Sequence, residues 1–352
     1  MRFNRRDFGK LALATSVVPA SSLFAAKVNS NFDGVQIGTI TYSYRDRPEL
    51  ANDAHELLKM IVDSGVSAIE LMPSAAERFA GAPLPAQQGG ARGGRAGSGG
   101  RGGPGGAGFG PGGPGGARGG SGRGGGQGRG PMTPEQQAAA EKLKQWRLSA
   151  SMDKFKEFRK LYNDAGVEIY CHKLTPSDGM SDAEFDYFFE IAKAMGAKQV
   201  SLELPEEPTP FTQRLGDTAL KHGMVAAYHA HEQATETAWD AVLAQSKGNS
   251  VNLDCGHYYA GTGKSPVPAI IKYHERLSSL HLKDRTPTTP EGRGANLPWG
   301  QGSTPIADIL QTMKKNKYKF PAAVELEYQI PAGSDSVTEV RKCVEFCRKA
   351  LA

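Results

Sequence analysis

One pattern narrows the folds open to this 352-residue chain more than any other: eight short β-rich runs, each followed by a helical stretch. The runs are 35–40, 66–71, 167–171, 198–204, 224–229, 250–254, 277–282 and 321–327. Counted start to start, they repeat every 31 residues twice, then 26, 26 and 27. Apolar residues at helical spacing predict helices such as Leu50–Ser64, Met152–Ala165, Asp182–Met195, Ile306–Asn316 and Val337–Leu351. Gly65, Gly166, Gly196 and Gly223 stand where a helix ends and the next strand begins. Eight successive βα units predict a single-domain (β/α)8 TIM barrel over about residues 33–352. An open doubly wound sheet is the alternative, but it more often carries a Gly-rich turn after its first strand, and here that strand runs into Thr41-Tyr42-Ser43-Tyr44.

Two segments stand apart from the barrel. Residues 89–130 hold 25 of the 44 glycines, six arginines and no acid. Such a stretch cannot bury enough apolar surface to fold, so a disordered insertion after strand two is expected. The start reads Asn4-Arg5-Arg6-Asp7-Phe8-Gly9-Lys10, then an apolar run from Leu11 to Ala26, the pattern of a twin-arginine export signal. Periplasmic or secreted localisation is therefore expected, with residues 1–26 as the signal peptide. The insertion contributes +6 and the signal +3 to a net charge of +5, which leaves −4 for the remainder. That balance argues against a nucleic-acid partner, and no apolar run suggests a membrane span once the signal is removed. Four cysteines exclude a disulfide scaffold. Cys343 and Cys347, four apart on one helix, read as packing residues.

In a barrel the last residues of every strand converge on one mouth. The fifth run ends Tyr228-His229-Ala230-His231, and the sixth Asn252-Leu253-Asp254-Cys255-Gly256-His257. The seventh ends His281-Leu282-Lys283-Asp284, and the eighth Glu325-Leu326-Glu327-Tyr328. Equivalent positions on four consecutive strands thus offer His229, Asp254, His281 and Glu325, a mixed nitrogen and oxygen set suited to Mn²⁺, Zn²⁺, Co²⁺ or Fe²⁺. Glu203 at the end of the fourth run is a fifth ligand or a free general base. His231 and His257 are placed to meet substrate oxygens, and Lys283 to stabilise an enolate. Glu70 and His172 are expected to line the mouth. Glu327 shares a strand face with Glu325 and is the alternative ligand if the register slips by two. Tyr42, Tyr44, Tyr258, Tyr259 and Trp299 can stack on a sugar ring or serve as loop packing.

Taken together, Asp-Cys-Gly-His, His-Leu-Lys-Asp and Val-Glu-Leu-Glu-Tyr resemble the sugar phosphate isomerase/epimerase family of the xylose isomerase-like TIM-barrel superfamily. Tyr-His-Ala-His looks like the Y-H-x-H signature of one branch, and Trp299-Gly-Gln-Gly302 resembles the turn of the seventh loop. The resemblance covers about residues 33–350 apart from the glycine tract. It implies one divalent metal, often Mn²⁺, on His229, Asp254, His281 and Glu325, a small-molecule sugar substrate, and a homodimer as one oligomeric form. In the ketose epimerases of the family the strand-five ligand is a Glu that doubles as a base; here His229 takes that place.

The expected reaction is proton abstraction beside a polarised carbonyl of a keto-sugar or related polyol, giving epimerisation or isomerisation. Glu203, His231 and Glu325 are the base candidates; His257, Lys283, His172, Glu70 and Trp299 are the substrate-contact candidates. A lyase or dehydratase acting on 3-keto-glycosides or keto-inositols is the runner-up. A metal-cluster phosphodiesterase and a non-catalytic sugar-binding barrel are the readings from other classes.

Overall fold

Eight parallel strands close on themselves in the computed structural model, which describes residues 27–84, 133–290 and 292–352. They are β1 (Val35–Ile40), β2 (Ala68–Leu71), β3 (Glu168–Lys173), β4 (Gln199–Glu203), β5 (Val225–His229), β6 (Asn249–Asp254), β7 (Leu277–Leu282) and β8 (Ala322–Val324). Each pairs in parallel with its sequence neighbours, and β8 returns to β1 with Ala322 opposite Ile37 and Val324 opposite Thr39. The result is a single-domain TIM barrel, as the spacing predicts. The proposed export signal and the 89–130 insertion lie outside the described residues.

Among the described residues, eleven helices of six residues or more surround the sheet. They are α1 (Ala54–Asp63), α2 (Pro73–Phe79), α3 (Pro134–Ser149), α4 (Asp153–Asp164), α5 (Asp182–Ala194) and α6 (Pro210–Lys221). They continue with α7 (Asp240–Gln245), α8 (Cys255–Thr262), α9 (Val267–Tyr273), α10 (Ile306–Asn316) and α11 (Ser336–Leu351). Among the described residues no helix is long and apolar enough to cross a membrane. Capping chemistry sets several starts. The Asp53 side chain accepts from the backbone N–H groups of His55 and Glu56, so α1 begins later than the apolar pattern from Leu50 suggests. Ser181 and Glu184 form a capping box on α5. Gly65 and Gly166, which end two helices ahead of strands, have φ of +77° and +85°, where a Cβ is strained.

Leu57, Leu58 and Ile61 of α1 and Phe155, Phe158 and Tyr162 of α4 are fully covered, and they pack between helices and sheet with Ile37, Ile69 and Leu71. Losing one such leucine to alanine costs about 2–5 kcal/mol. The four cysteines are buried and unpaired, Cys343 and Cys347 on the core face of α11.

The glycine tract does not fall directly between strand two and its helix. α2 follows β2 at once, so the tract separates α2 from α3, a helix not foreseen. α3 is held by its end: Arg147 pairs with the buried Glu77 of α2 at 2.7 Å, and Tyr187 of α5 donates to the same carboxylate at 3.0 Å.

Candidate metal centre

Side-chain alternation on the strands decides what enters the barrel, and one irregularity shifts it. Ile69 pairs with Ile169, but Glu70 pairs with Cys171, so Tyr170 is an extra residue on β3. Beyond this bulge Cys171 and Lys173 turn inward, and His172 turns outward beside Leu71 and Val200. His172 is therefore not at the mouth, contrary to expectation. It is fully buried, and neither ring nitrogen has a hydrogen-bond partner. Burial, helped by the Arg147 charge, pushes its pKa down to about 3. Lys173, which sequence reasoning missed, takes the inward place. Its Nζ donates to Glu203 Oε1 at 2.8 Å, and with burial opposing, Glu203 and Glu70 hold its pKa up.

His229, Asp254, His281 and Glu325 converge. One donor atom from each lies within 4.8 Å of all the others, and all four residues are buried. Asp254 is the last residue of β6 and also the N-cap of α8: its Oδ1 accepts from the His257 backbone N–H at 2.7 Å. That bond turns Oδ2 into the barrel, where it makes no hydrogen bond although Lys283 Nζ is 2.9 Å away. Gly256 permits the packing, since a Cβ there would fall 2.6 Å from Lys283 Cβ. Glu325 enters by alternation, two residues past Ala323, which pairs with His281. The ladder ends at Val324 rather than at Glu327, and the Leu326 N–H leaves the sheet to donate to Ser43 Oγ at 3.1 Å.

His281 stands between two carboxylates, with Nδ1 2.7 Å from Glu325 Oε2 and Nε2 2.8 Å from Glu70 Oε2. Burial alone would lower its pKa, but Glu70 and Glu325 outweigh it and raise the value to about 10. Glu70 is not a mouth residue as expected. It is fully buried, and its oxygens are taken by His281, by the Ser201 hydroxyl at 2.5 Å and by Asn252 Nδ2 at 3.2 Å. A ligand histidine held through its second nitrogen by a carboxylate is the arrangement that orients imidazole toward a metal.

Lys283 is buried, with Nζ 2.9 Å from Asp254, 3.1 Å from Glu325 and 2.9 Å from Glu327. Burial opposes its charge, but these carboxylates raise its pKa. Burial likewise opposes ionisation of Glu325, yet Lys283 and His281 hold its pKa well below the usual range. Burial holds the pKa of His229 well down, as the neutral form of a ligand requires.

Around this set lies a ring of further groups. Glu203 Oε2 is buried without a hydrogen-bond partner, 3.4 Å from His231 Nδ1. His257 Nε2 lies 3.5 Å from Glu327 Oε2. The Trp299 ring packs edge-on against Phe346 of α11, at 5.6 Å between centroids, which is loop packing rather than an open sugar platform. Asp284, beside Lys283, accepts from the N–H groups of Gly300 at 2.7 Å, Gly302 at 2.9 Å and Thr304 at 3.2 Å, and so pins the loop that carries Trp299. Tyr44 and Tyr258 are fully buried core residues. Arg285 and Glu232, one of them directly after the His-Leu-Lys-Asp motif, were also missed. They lie behind His257.

The donors fit a cation: two imidazoles, two carboxylates, mutual distances a ligand shell can close, and a buried Asp254 oxygen with no hydrogen bond. No curated protein sequence matches the chain. Among solved structures it is similar to a sugar phosphate isomerase/epimerase from Parabacteroides distasonis ATCC 8503, with 17% identity, a TM-score of 0.53, and coverage of 92% of this chain and 96% of that one. It is similar to the probable 3-DHS dehydratase of Bacillus anthracis at 11% identity and a TM-score of 0.54, covering 88% and 98%. It is also similar to the 3-keto-D-glucoside 4-epimerase of E. coli at 10% identity and a TM-score of 0.52, covering 90% and 99%. At these identities the likeness is one of fold. The sequence model described as "Xylose isomerase-like TIM barrel" matches residues 131–350, which contain β3 to β8 and all four converging residues. The chain belongs to the xylose isomerase-like TIM barrel family.

Proposed function

We propose that this protein is a divalent-metal-dependent isomerase or epimerase acting on a keto-sugar or related polyol. The observation that carries the reading is the buried convergence of His229, Asp254, His281 and Glu325 within 4.8 Å. These four residues would hold the ion, with Mn²⁺, Zn²⁺, Co²⁺ and Fe²⁺ as the metals such a set accepts. When bound, it supplies Lewis acidity to a substrate carbonyl and its neighbouring hydroxyl, which acidifies the adjacent C–H.

The remaining chemistry falls to the chain's own side chains. Of the base candidates, Glu325 is committed to His281 and Lys283, whereas Glu203 has one oxygen on Lys173 and the other, Oε2, without a partner. Glu203 is thus the group placed to take the proton. His231, 3.4 Å from that oxygen, can relay it. Lys283 places a positive charge beside the developing oxyanion. Return of the proton to the other face yields the epimer, and return to the neighbouring carbon yields the isomer.

Loss of a β-substituent from the same enolate would make the enzyme a lyase. The observation favouring that second reading is His229 at the strand-five place where two-glutamate epimerases of the family carry a second base. Residues 1–26 support export, and an exported enzyme meets free keto-sugars or keto-glycosides rather than sugar phosphates. The test is incubation of the Mn²⁺-loaded protein with keto-sugars in deuterated water. Deuterium at the carbon beside the carbonyl with every substituent retained supports the isomerase or epimerase. An absorbing enone supports the lyase. No exchange in any keto-sugar or keto-glycoside refutes both and leaves a binding barrel.

A further inference from the structure

We infer that Arg285 keeps this centre mononuclear by fixing which nitrogen of His257 carries the proton. The inference rests on the reading of His229, Asp254, His281 and Glu325 as the metal site. A second constellation adjoins that site: nitrogens of His229, His231 and His257 lie within 4.8 Å of one another. The rings of His231 and His257 are 4.7 Å apart between centroids. Glu203 stands 3.4 Å from the first and Glu327 3.5 Å from the second. With His229 committed to the central set, the other two imidazoles and the two carboxylates are the donor types that take a second transition metal.

One contact bars it. The guanidinium Nη1 of Arg285 points at His257 Nδ1 in a close hydrogen bond. Arginine has only donors, so Nδ1 must offer its lone pair and the ring proton sits on Nε2. Nε2 is the nitrogen that faces Glu327, and it is buried with no hydrogen bond of its own. A nitrogen bearing a proton is not a ligand. Moving that proton to Nδ1 would set it against the guanidinium N–H. Arg285 has no room to swing aside. Its Nη2 donates to Glu232 Oε1 at 2.8 Å and to the Gly294 carbonyl at 2.6 Å, and the residue is 3% exposed. His257 therefore presents an N–H to the mouth instead of a lone pair. Arg285 is a positioning residue that determines how many ions the mouth accepts.

The experiment uses the full chain loaded with excess Zn²⁺ and desalted. Zinc is counted by plasma mass spectrometry, and ¹⁵N-histidine spectra are recorded with His257 assigned by its loss in His257→Gln. The wild type is expected to hold one zinc, with His257 Nδ1 in the unprotonated range and Nε2 in the protonated range. In Arg285→Gln the amide carbonyl can accept from an Nδ1–H, so a second zinc is expected, lost again in Arg285→Gln/His257→Gln. A wild-type proton on Nδ1, a second wild-type zinc that disappears in His257→Gln, or a single zinc in Arg285→Gln overturns the inference. If Arg285→Gln does not fold, the wild-type spectrum still decides. Absence of any wild-type zinc would refute the central site instead, and the position of the His257 proton would remain readable.

Discussion

Glu70→Gln isolates the contribution of one buried charge to metal binding. The carboxylate accepts from His281 Nε2 at 2.8 Å, Asn252 Nδ2 at 3.2 Å and Ser201 Oγ at 2.5 Å. A glutamine keeps this geometry: its oxygen faces His281 and Asn252, and its amide faces the Ser201 hydroxyl, which rotates to accept. What disappears is the negative charge that orients the imidazole and makes Nδ1 more basic. Outer partners of this kind are worth about 10–100-fold in metal affinity, or about 1.4–2.7 kcal/mol. Chelator competition with Zn²⁺ should therefore show affinity reduced within that range while circular dichroism and Tm change little. Glu70→Leu is the contrast, because it strands three donors and should destabilise the fold by about 3 kcal/mol or more. Glu70→Gln binding zinc as tightly as the wild type would refute the claim that Glu70 tunes His281.

Further outcomes follow from the same geometry. Asp254→Asn should lose the metal yet keep α8 capped, since its amide oxygen can still accept from the His257 N–H, whereas Asp254→Ala should cost about 1 kcal/mol more in Tm measurements. Glu203→Gln should leave metal content unchanged and slow deuterium wash-in by about 10²–10⁴-fold. Because the His281 pKa stands at about 10, metal binding near neutral pH should release its proton, which calorimetry in buffers of different ionisation heat will count. The same raised value stabilises the metal-free fold fully below the ring's ordinary 6.5, and that contribution is lost as pH rises through about 10; pH-dependent denaturant midpoints should follow this sign. Gly302→Ala should lower Tm, by about 2 kcal/mol in stability, because its Cβ would fall 2.2 Å from Asp284 Oδ1 and break charge-assisted bonds that pin the seventh loop.

The barrel was legible because its repeat is long and regular, and the central four residues because each ends a successive strand. Legibility failed where local pairing departs from strict alternation. The bulge at Tyr170 exchanges the faces of His172 and Lys173, and one extra residue is enough to do so. A basic residue two positions past Cys171 was visible, but its inward direction was not. Glu70 was placed on the correct strand but read as open to substrate, because its partners Ser201 and Asn252 come from β4 and β6 and no local pattern links them. α3 carries too weak an apolar stripe to be foreseen from periodicity; its signals were the Thr133–Gln136 capping box and the proline after Thr133. Arg285 had a signal as well, as the residue that immediately follows His-Leu-Lys-Asp.

The bond between Glu70 and His281 joins residues 211 apart in sequence, on β2 and β7. All four central residues come from the second half of the chain, and the group that orients one of them comes from the first. An ion seated there would draw its full affinity only from a closed barrel, because β5 to β8 carry the four ligands but Glu70 reaches His281 across the barrel from β2. Metal occupancy and barrel closure are then coupled: saturating ion would favour the closed state by at most the roughly 10–100-fold affinity ratio that Glu70 supplies, about 1.4–2.7 kcal/mol. A seam that parted would loosen the hold on the ion before any helix unwound.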